Sequence, residues 1–414
     1  MSGPRTCAGI ATRLGDRLRA RRLARVLDHA DARREARRVL PRALFDYVDG
    51  GAEDEITLAR NVAAFRDVQL RPRMAVHNPA PDLTTRLFGS TLSLPVLTAP
   101  CGGMRLVHPQ GDLGVARAAA AAGTVHVATS ASGFSMEEIA ADPGPKWFQL
   151  YRFYNRRAME GLVHRAQRAG YEALVVTVDT TVSGNRERDH RNGFSYDMRI
   201  NLRNALRMGP RLVNRPLWLY RYWRDGMPFV LANTTDITHD GKPLLLGEMA
   251  RTEGESHSPS WEDIGWIRDT WRGPLVIKGV LTGEDAKRAV DAGADGVVVS
   301  NHGGRQLDGA PATIAVLPEV VAAVGPGVTV LLDSGIRRGV DVLKALALGA
   351  DAVLIGRHAV WGLALGGRHG VQHMIEILRA DMIRAMRLMG CRSVDELDAG
   401  WLRVPTTGEV AARA

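Results

Sequence analysis

A short segment that follows an apolar run combines residue types suited to acid–base chemistry on an acidic molecule. The run Gly296–Val299 is typical of a buried parallel strand, and the segment 300–309, Ser-Asn-His-Gly-Gly-Arg-Gln-Leu-Asp-Gly, follows it directly. His302 can accept a proton near neutral pH, Arg305 can hold a carboxylate through two parallel hydrogen bonds, and the glycines allow close approach of a ligand. The segment therefore predicts proton abstraction next to a carboxylate. A glycine-rich turn with a surface histidine and arginine is the alternative that these residues alone leave open.

Eight short apolar runs alternate with helical patterns and place this segment in a larger architecture. The predicted strands are Leu94–Ala99, His126–Ser130, Trp147–Tyr151, Ala173–Asp179, Leu275–Gly279, Gly296–Ser300, Val328–Asp333 and Ala352–Gly356. The predicted helices include Gly111–Gly123, Arg156–Gly170, Gly283–Gly293, Arg338–Gly349 and a long amphipathic helix over Gly370–Gly390. Alternating strands and helices indicate a parallel sheet of the α/β class, and eight such units predict a TIM (β/α)8 barrel. A doubly wound open sheet is the alternative, but that fold has no need of eight repeats.

Every predicted strand ends in a polar residue or a glycine. These residues are Pro100, Cys101, Gly102, Thr129, Gln149, Tyr151, Thr177, Asp179, Lys278, Ser300, His302, Asp333, Gly356 and Arg357. Because active sites of TIM barrels lie at the carboxyl ends of the strands, we expect these side chains to share one site. Lys278 ends an apolar run, so we expect its ammonium group to be buried there.

The segments after the last two strands predict an anion site. Strand seven is followed by Asp333–Gly339, which contains two arginines and two glycines, and strand eight by Gly356 and Arg357. TIM barrels commonly bind phosphate with these two loops, through backbone amides and cationic side chains. A phosphorylated ligand or cofactor is therefore expected, with a solvated Arg–Arg turn as the alternative.

The composition is that of an ordinary globular protein. The 414 residues carry a net charge of +9, which favours anionic partners. Three scattered cysteines, Cys7, Cys101 and Cys391, show neither a disulfide framework nor metal-ligand spacing, so we expect no metal and a cytoplasmic location. No apolar run is long enough to span a membrane, and the N-terminus has no secretory hydrophobic segment.

Two basic segments lie outside the repeating pattern. Residues 1–38 form an arginine-rich extension before the barrel domain at 39–414, and a solvated charged helix is favoured there over a nucleic-acid-binding arm because no aromatic residues are interleaved. An insertion over about 183–260 follows strand four. Its part 198–224 carries seven arginines, no acid, and Trp218, Tyr220, Tyr222 and Trp223. This mixture suits a membrane surface, while a lid or a subunit contact remains equally open.

From about Leu40 onwards the chain resembles the flavin mononucleotide (FMN)-dependent 2-hydroxy-acid oxidases and dehydrogenases, which include glycolate oxidase, flavin lactate dehydrogenase and mandelate dehydrogenase. The motifs that carry the resemblance are Asp46-Tyr47, Gly51–Asp54, Phe148–Tyr151, Thr177–Asp179, Lys278-Gly279, Ser300–Asp308, Asp333–Gly339 and Gly356-Arg357. The segment Gly184–Asp189 and the basic, aromatic insertion are most similar to mandelate dehydrogenase, whose insertion meets the membrane.

The resemblance implies a role for each matching position. His302 is then the catalytic base, and Asp179 stabilises its cationic form. Arg305 and Arg186 hold the substrate carboxylate, while Tyr47 and Tyr151 contact the carboxylate and hydroxyl. The implied FMN-binding residues are Pro100, Cys101, Gly102, Thr129, Gln149, Tyr151, Thr177, Lys278, Ser300, Asp333, Ser334, Gly335, Ile336, Arg337, Gly356 and Arg357. Lys278 would face the flavin ring, and Gly335, Arg337, Gly356 and Arg357 would hold the phosphate.

Three positions refine what the resemblance implies. Gly102 stands where oxygen-using members often carry Ala, Ala131 stands where glycolate oxidase has a bulky aromatic residue, and Cys101 replaces the usual Thr. We therefore expect oxidation of a large or aromatic (S)-2-hydroxy acid, such as mandelate, or of lactate, with a quinone or another carrier as electron acceptor. The family also suggests a homotetramer, and the insertion suggests peripheral contact with the inner face of the cell membrane.

Four alternatives remain at this point. One is an oxygen-dependent oxidase that makes hydrogen peroxide, and a second is a tailoring enzyme for a peptide or natural product, against which Arg186 and Arg305 argue. A third is a flavin-free, phosphate-binding lyase or isomerase. A non-catalytic scaffold is the weakest, because all the site residues are present.

Overall fold

Eight parallel strands close into a barrel in the computed structural model, which describes residues 19–151, 155–192, 214–225, 229–238, 241–245 and 258–403. The strands are β1 Val96–Thr98, β2 His126–Thr129, β3 Lys146–Leu150, β4 Ala173–Thr177, β5 Leu275–Val280, β6 Gly296–Val299, β7 Thr329–Leu332 and β8 Ala352–Ile355. Each strand pairs with the next in the sequence, and β8 pairs with β1 through Val353 and Val96. The predicted TIM barrel is confirmed, and the open-sheet alternative is excluded by the closed strand order.

Fifteen helices in the described ranges surround or flank the barrel. Before β1 lie α1 His29–Val39, α2 Arg42–Asp49 and α3 Ile56–Asp67; after β1 to β4 lie α4 Met104–Val107, α5 Gly111–Ala121, α6 Met136–Ala140, α7 Arg156–Arg168, α8 Glu187–Asn192, α9 Pro216–Asp225 and α10 Trp261–Thr270. After β5 to β8 lie α11 Gly283–Asp291, α12 Thr313–Val324, α13 Gly339–Ala347, α14 Arg357–Gly366 and α15 Arg368–Met389. Short antiparallel pairs join Thr85–Leu87 with Ser90–Leu92, Gln69–Leu70 with Leu402–Arg403, and Val230–Leu231 with Leu244–Leu245.

The strands are apolar on both faces because each face packs against a different layer. Alternate residues such as Leu97, Val175 and Val298 fill the barrel interior, while their neighbours pack outward against the helices. Phe88, in the hairpin before β1, contacts Trp147 with ring centroids 5.3 Å apart and helps to fill the barrel interior. This packing leaves the carboxyl ends of the strands free to carry polar side chains.

Local sequence signals set several helix starts. The Asn155 side chain accepts a hydrogen bond from the amide of Ala158 at the start of α7, and Ser260 and Asp263 form a reciprocal capping box at the start of α10. The Thr282 hydroxyl accepts a hydrogen bond from the amide of Asp285 at the start of α11. The predicted amphipathic helix over Gly370–Gly390 is confirmed as α15, which ends at Met389 before a left-handed Gly390.

The basic extension contributes a helix to the fold. Ala32 and Ala36 of α1 are fully buried in the main core, and the opposite face of that helix is charged. The proposed domain boundary at residue 38 stays a prediction, although α1 packs against the barrel. Residues 1–18 and 193–213, which include Cys7 and the part 198–213 of the basic, aromatic segment 198–224, lie outside the described residues. No helix in the described part of the chain combines the length and apolarity that a membrane crossing requires.

Candidate active site

The structure pairs His302 with Asp179 at the carboxyl end of the barrel. Nδ1 of His302 lies 3.0 Å from Oδ1 and 3.2 Å from Oδ2 of Asp179, which follows β4. Burial lowers the pKa of His302 below its ordinary value, and Asp179 raises it in part. Burial raises the pKa of Asp179, but His302 and Lys278 lower it further, so the carboxylate remains charged. The pair can therefore take up a proton on the imidazole and stabilise the resulting cation.

The backbone of His302 adopts a left-handed conformation with φ of 57°. Residues without glycine's freedom occupy this region rarely, and they do so mainly where surrounding contacts compensate for the strain. Here the His302 amide donates to Oγ of Ser300 at 3.1 Å, and the Gly303 amide donates to Oγ of Ser334 at 3.0 Å. Ser334 is itself left-handed, with φ of 74°. The loops after β6 and β7 thus hold each other and fix the direction of the imidazole.

Lys278 is buried at the end of β5, as predicted. Its Nζ donates to Oγ of Ser300 at 2.9 Å and lies 3.1 Å from Oδ2 of Asp333. Burial lowers the pKa of Lys278, but Asp333 and Asp179 raise it by more, so the ammonium group stays protonated. The site therefore contains a fixed positive charge held by Ser300 and Asp333.

Two arginines and two tyrosines line the cavity next to His302. The Arg305 guanidinium donates to the backbone oxygens of Tyr47 at 2.7 Å and Gly50 at 2.9 Å, and its Cζ lies 5.0 Å from the centroid of the Tyr47 ring. Tyr151 lies with its ring centroid 5.8 Å from that of His302, and Arg186 borders the same cavity. This arrangement supplies cations and hydroxyls within reach of the imidazole, as recognition of a hydroxy acid would require.

Two further arginines, Arg337 and Arg357, border the same cavity. Arg357 donates to the backbone oxygens of Val48, Gly303 and Gly50 at 2.8 to 2.9 Å, and Arg337 donates to that of Ile336 at 2.9 Å. Within the described residues, neither guanidinium forms a salt bridge with a carboxylate. Burial lowers the pKa of Arg337 to about 10 and that of Arg357 to about 9, the latter with help from neighbouring arginines. Buried cations that lack an acidic partner call for an anionic ligand.

Most of the predicted site residues border this one cavity. These are Tyr47, Pro100, Cys101, Gly102, Thr129, Gln149, Tyr151, Arg186, Lys278, His302, Arg305, Asp333, Ser334, Gly335, Ile336, Arg337, Gly356 and Arg357. The other three lie directly behind it: Asp179 contacts His302, Thr177 accepts a hydrogen bond from Gln149 at 2.6 Å, and Ser300 contacts Lys278. Their placement agrees with the expectation of a shared site, while their individual roles stay predictions.

Residues missed by the sequence analysis hold the loops of the site together. Gln306 donates to the backbone oxygens of Asp179 at 2.6 Å and Val182 at 2.9 Å, and its Oε1 accepts from the Gly184 amide at 3.2 Å. Gln306 directly follows Arg305 in the segment 300–309, and this position in the sequence could have indicated that Gln306 lies at the site.

An ion-pair network around the buried Asp49 anchors the end of α2. Arg33 pairs with Asp49 at 2.5 and 2.7 Å, and Arg188 pairs with Asp49 at 2.8 Å and with Glu55. These residues join α1, α2 and the start of α8, and no local pattern indicated that they would meet.

Small residues form one wall of the cavity. A Cβ added to Gly102 would lie 3.4 Å from Cβ of Ala131, so these two residues face each other. Met104, Val107 and Leu231 also border the cavity. Cys101 lies nearby, where burial raises the pKa of its thiol to about 11 and keeps it protonated. This wall gives the cavity that His302 also borders an apolar side.

Comparisons with known proteins agree with the geometry. The model of the FMN-dependent dehydrogenase family matches residues 36–404. A peroxisomal (S)-2-hydroxy-acid oxidase of Oryza sativa subsp. japonica is 43% identical over 363 residues, which cover 87% of this chain and 92% of that protein. A pre-mycofactocin synthase of Mycobacterium tuberculosis strain H37Rv is 42% identical over 381 residues, covering 91% and 94%. The crystal structure of the monotopic membrane protein (S)-mandelate dehydrogenase superposes with a TM-score of 0.86 at 38% identity, covering 92% of this chain and 100% of that chain.

Proposed function

Because the chain belongs to the family of FMN-dependent dehydrogenases, we propose that it oxidises an (S)-2-hydroxy acid to the corresponding 2-oxo acid. Family membership makes the protein an FMN-dependent oxidoreductase. It therefore excludes the alternative of a flavin-free lyase or isomerase. The observation that carries the proposal is the His302–Asp179 pair at 3.0 Å, which lies beside the guanidinium groups of Arg305 and Arg186 in one cavity. A base next to a carboxylate-binding cation is what abstraction of a proton from a hydroxy acid needs.

The cavity has residues that fit both the phosphate and the flavin ring of FMN. Arg337 and Arg357, whose guanidinium groups lack a carboxylate partner among the described residues, would hold the phosphate together with the amides of Gly335 and Gly356. A side chain at Gly335 is excluded, because an added Cβ would lie 2.2 Å from the backbone oxygen of Asn61. Lys278 would place its charge against the flavin ring, and Asp333 would accept hydrogen bonds from ribityl hydroxyls. When bound, FMN supplies the two-electron acceptor for the reaction.

The chain's own residues orient the acid and move its proton. Arg305 and Arg186 hold the substrate carboxylate, and Tyr47 and Tyr151 contact the carboxylate and the hydroxyl. Since Nδ1 of His302 faces Asp179, the neutral imidazole has Nε2 available to accept the substrate proton. The charged Asp179 then stabilises the imidazolium, as the aspartate does in a Ser-His-Asp triad.

The small residues in the cavity wall favour a large substrate side chain. Gly102 and Ala131 face each other, and Met104, Val107 and Leu231 provide apolar contacts for an aryl group. We therefore propose mandelate or a similar aromatic acid as substrate, with lactate as the smaller candidate. A quinone or another carrier is the proposed electron acceptor.

The substrate proposal can be tested by filling this space. Steady-state rates with a dye acceptor would be compared for (S)-mandelate, L-lactate and glycolate. Ala131→Phe should lower kcat/KM for mandelate about 10- to 100-fold, because this factor corresponds to the free energy of burying one phenyl group. The substitution should lower kcat/KM for glycolate much less. Ala131→Ser keeps the volume nearly unchanged and serves as the control. Equal losses on all three acids would contradict an aryl pocket at this wall.

Two alternative functions have specific support. The relative from Oryza is an oxidase, so release of hydrogen peroxide with rapid oxygen consumption would identify oxygen as the acceptor here. The similarity to pre-mycofactocin synthase supports a tailoring reaction. Arg305 and Arg186 both border the cavity and favour a free carboxylate instead. A yellow protein that no simple hydroxy acid reduces would favour the tailoring reaction.

Association with a membrane surface and with other copies of the chain is also part of the proposal. The similar mandelate dehydrogenase is a monotopic membrane protein, and α9, one of the described helices of the insertion, carries the exposed aromatic residues Tyr220 and Trp223. We propose peripheral contact through about 198–224, and a homotetramer. Deletion of that segment should move the protein from the membrane fraction to the supernatant, and unchanged partitioning would refute the contact.

A further inference from the structure

A second cavity lies behind the wall of the catalytic one and is lined by arginines. Five of them, Arg22, Arg38, Arg105, Arg215 and Arg221, border it, and none of its lining residues is an aspartate or a glutamate. We call this cavity the arginine cleft. The helical turn 19–23, the end of α1, the short helix α4 and the insertion helix α9 enclose it. Val107 of α4 borders both cavities, so a single helical turn separates them.

The positive charge of the arginine cleft is only partly compensated. Arg38 pairs with Glu35, whereas Arg215 donates to the backbone oxygens of Leu40 at 3.0 Å and Arg37 at 3.2 Å, which carry no charge. For the side chains of Arg22 and Arg221, the described residues supply neither a hydrogen bond nor a carboxylate partner. Several half-buried guanidinium groups are thus held together without enough acid to neutralise them.

The pKa of Arg221 reflects the same excess of positive charge. Burial lowers the pKa of Arg221, and Arg22, Arg19 and Arg224 lower it further, because each of these neighbours is a cation. The nearest acid on the same helix, Asp225, is bound by Arg224 at 2.6 Å. Cations crowded in this way repel one another, and an anion placed between them would remove the repulsion.

The remaining wall of the cleft is aromatic. Trp218 and Tyr222 stack with ring centroids 5.0 Å apart, and Nε1 of Trp218 donates to the Leu106 backbone oxygen at 2.9 Å, which fixes α9 to α4. The outer side of α9 exposes Trp223 (74%), Tyr220 (52%), Leu217 (51%) and Leu219 (39%). An anion in the cleft would therefore lie next to an exposed apolar surface.

We propose that the arginine cleft binds the phosphate of an anionic phospholipid headgroup, with the exposed side chains of α9 entering the surrounding lipid. The cationic lining recognises the phosphate, and the adjoining aromatic and aliphatic residues distinguish an amphiphile from a small free anion. The inference extends the proposed membrane contact and rests on it in part. It adds a specific site, built partly from the N-terminal segment, that is separate from the catalytic cavity.

Vesicle sedimentation tests the proposal with the FMN-loaded full chain. Vesicles of phosphatidylcholine alone are compared with vesicles containing phosphatidylglycerol. Arg22→Gln combined with Arg221→Gln should weaken binding to the anionic vesicles about 30-fold, since each arginine at such a surface contributes roughly fivefold. The control combines Arg21→Gln with Arg25→Gln, which removes the same charge from two exposed positions outside the cleft. We expect the control to lose no more than about threefold, because exposed charges outside the cleft are screened by salt and hold no phosphate.

The outcomes separate this proposal from its competitors. Equal losses in the two double variants would show that net charge alone attracts the protein, and would overturn the cleft. Equal binding of wild type to both kinds of vesicle would also overturn it, while leaving the membrane contact intact. Soluble competitors separate lipid from free phosphate. If inorganic phosphate displaces the protein from vesicles as effectively as glycerol phosphate or short-chain phosphatidylglycerol does, the ligand is free phosphate and the lipid proposal is refuted. Because no hydroxy acid is turned over in this assay, its result does not depend on the proposed reaction.

Discussion

Asp179→Asn tests most sharply how the catalytic pair works. The substitution keeps the size of the side chain and a hydrogen-bond acceptor for Nδ1 of His302, but it removes the negative charge. With opposite charges about 4 Å apart in this largely buried site, the interaction with the imidazolium is worth up to about 4 kcal/mol at an effective dielectric constant of about 20. Part of this is retained by the amide, so we expect a loss of about 2 to 4 kcal/mol, or about 30- to 1000-fold in kcat.

The pH dependence separates this effect from a general disturbance of the site. Asp179 raises the pKa of His302, so its removal should lower that pKa further. The base must be neutral to act, and the acidic limb of the pH profile of kcat/KM should therefore move to lower pH while the maximal rate falls. The assay is steady-state turnover across this pH range at matched FMN content. A rate within about fivefold of wild type, with an unmoved acidic limb, would refute the role of Asp179.

Three further predictions concern two arginines of the cavity and a buried carboxyl group. Arg305→Lys keeps the charge but loses the planar fork, so KM for the hydroxy acid should rise about 10- to 100-fold, and an unchanged KM would argue against carboxylate contact. Arg337→Gln should raise the Kd for FMN, measured by flavin fluorescence, about 10- to 100-fold, whereas Arg338→Gln, at a half-exposed neighbour, should not. The buried carboxyl of Asp112 has no hydrogen bond to the described residues within normal distance, and burial raises its pKa to about 6 from 3.8. Because the pKa of Asp112 is raised in the folded state, folding stability falls as pH rises from about 4 to about 6. The free energy of unfolding of Asp112→Asn, measured in urea, should therefore exceed that of wild type by about 3 kcal/mol at about pH 8 and by little near pH 4. An equal gain in the free energy of unfolding at both pH values would contradict this prediction.

The barrel and its catalytic end were predictable because local patterns encode them. Each strand is a short apolar run, and the topology of a parallel barrel brings the ends of all eight strands to one face. His302, Lys278 and Asp333 lie in three different segments, yet each lies in the last residues of a strand or just after it, and the barrel topology therefore predicts a common site for them.

Features that depend on long-range contacts were not predictable in this way. Arg33 and Arg188 form one ion-pair network with the buried Asp49, but nothing in the residues around each of them indicates its partners. Tyr47 was likewise undecided from its surroundings, since only the fold of α2 brings it against Arg305. The arginine cleft depends on the same kind of contact, because its walls come from parts of the chain more than a hundred residues apart.

The most direct test of the central claim is an anaerobic visible spectrum of the purified protein during addition of (S)-mandelate, L-lactate and glycolate in turn. We predict a yellow protein that loses its absorbance with (S)-mandelate or L-lactate and regains it slowly when air is admitted, as an enzyme that passes electrons to another carrier would. Rapid recovery in air would instead make oxygen the acceptor. A protein without flavin absorbance, or one that is yellow but that none of these acids bleaches, would contradict the proposed oxidation of a 2-hydroxy acid.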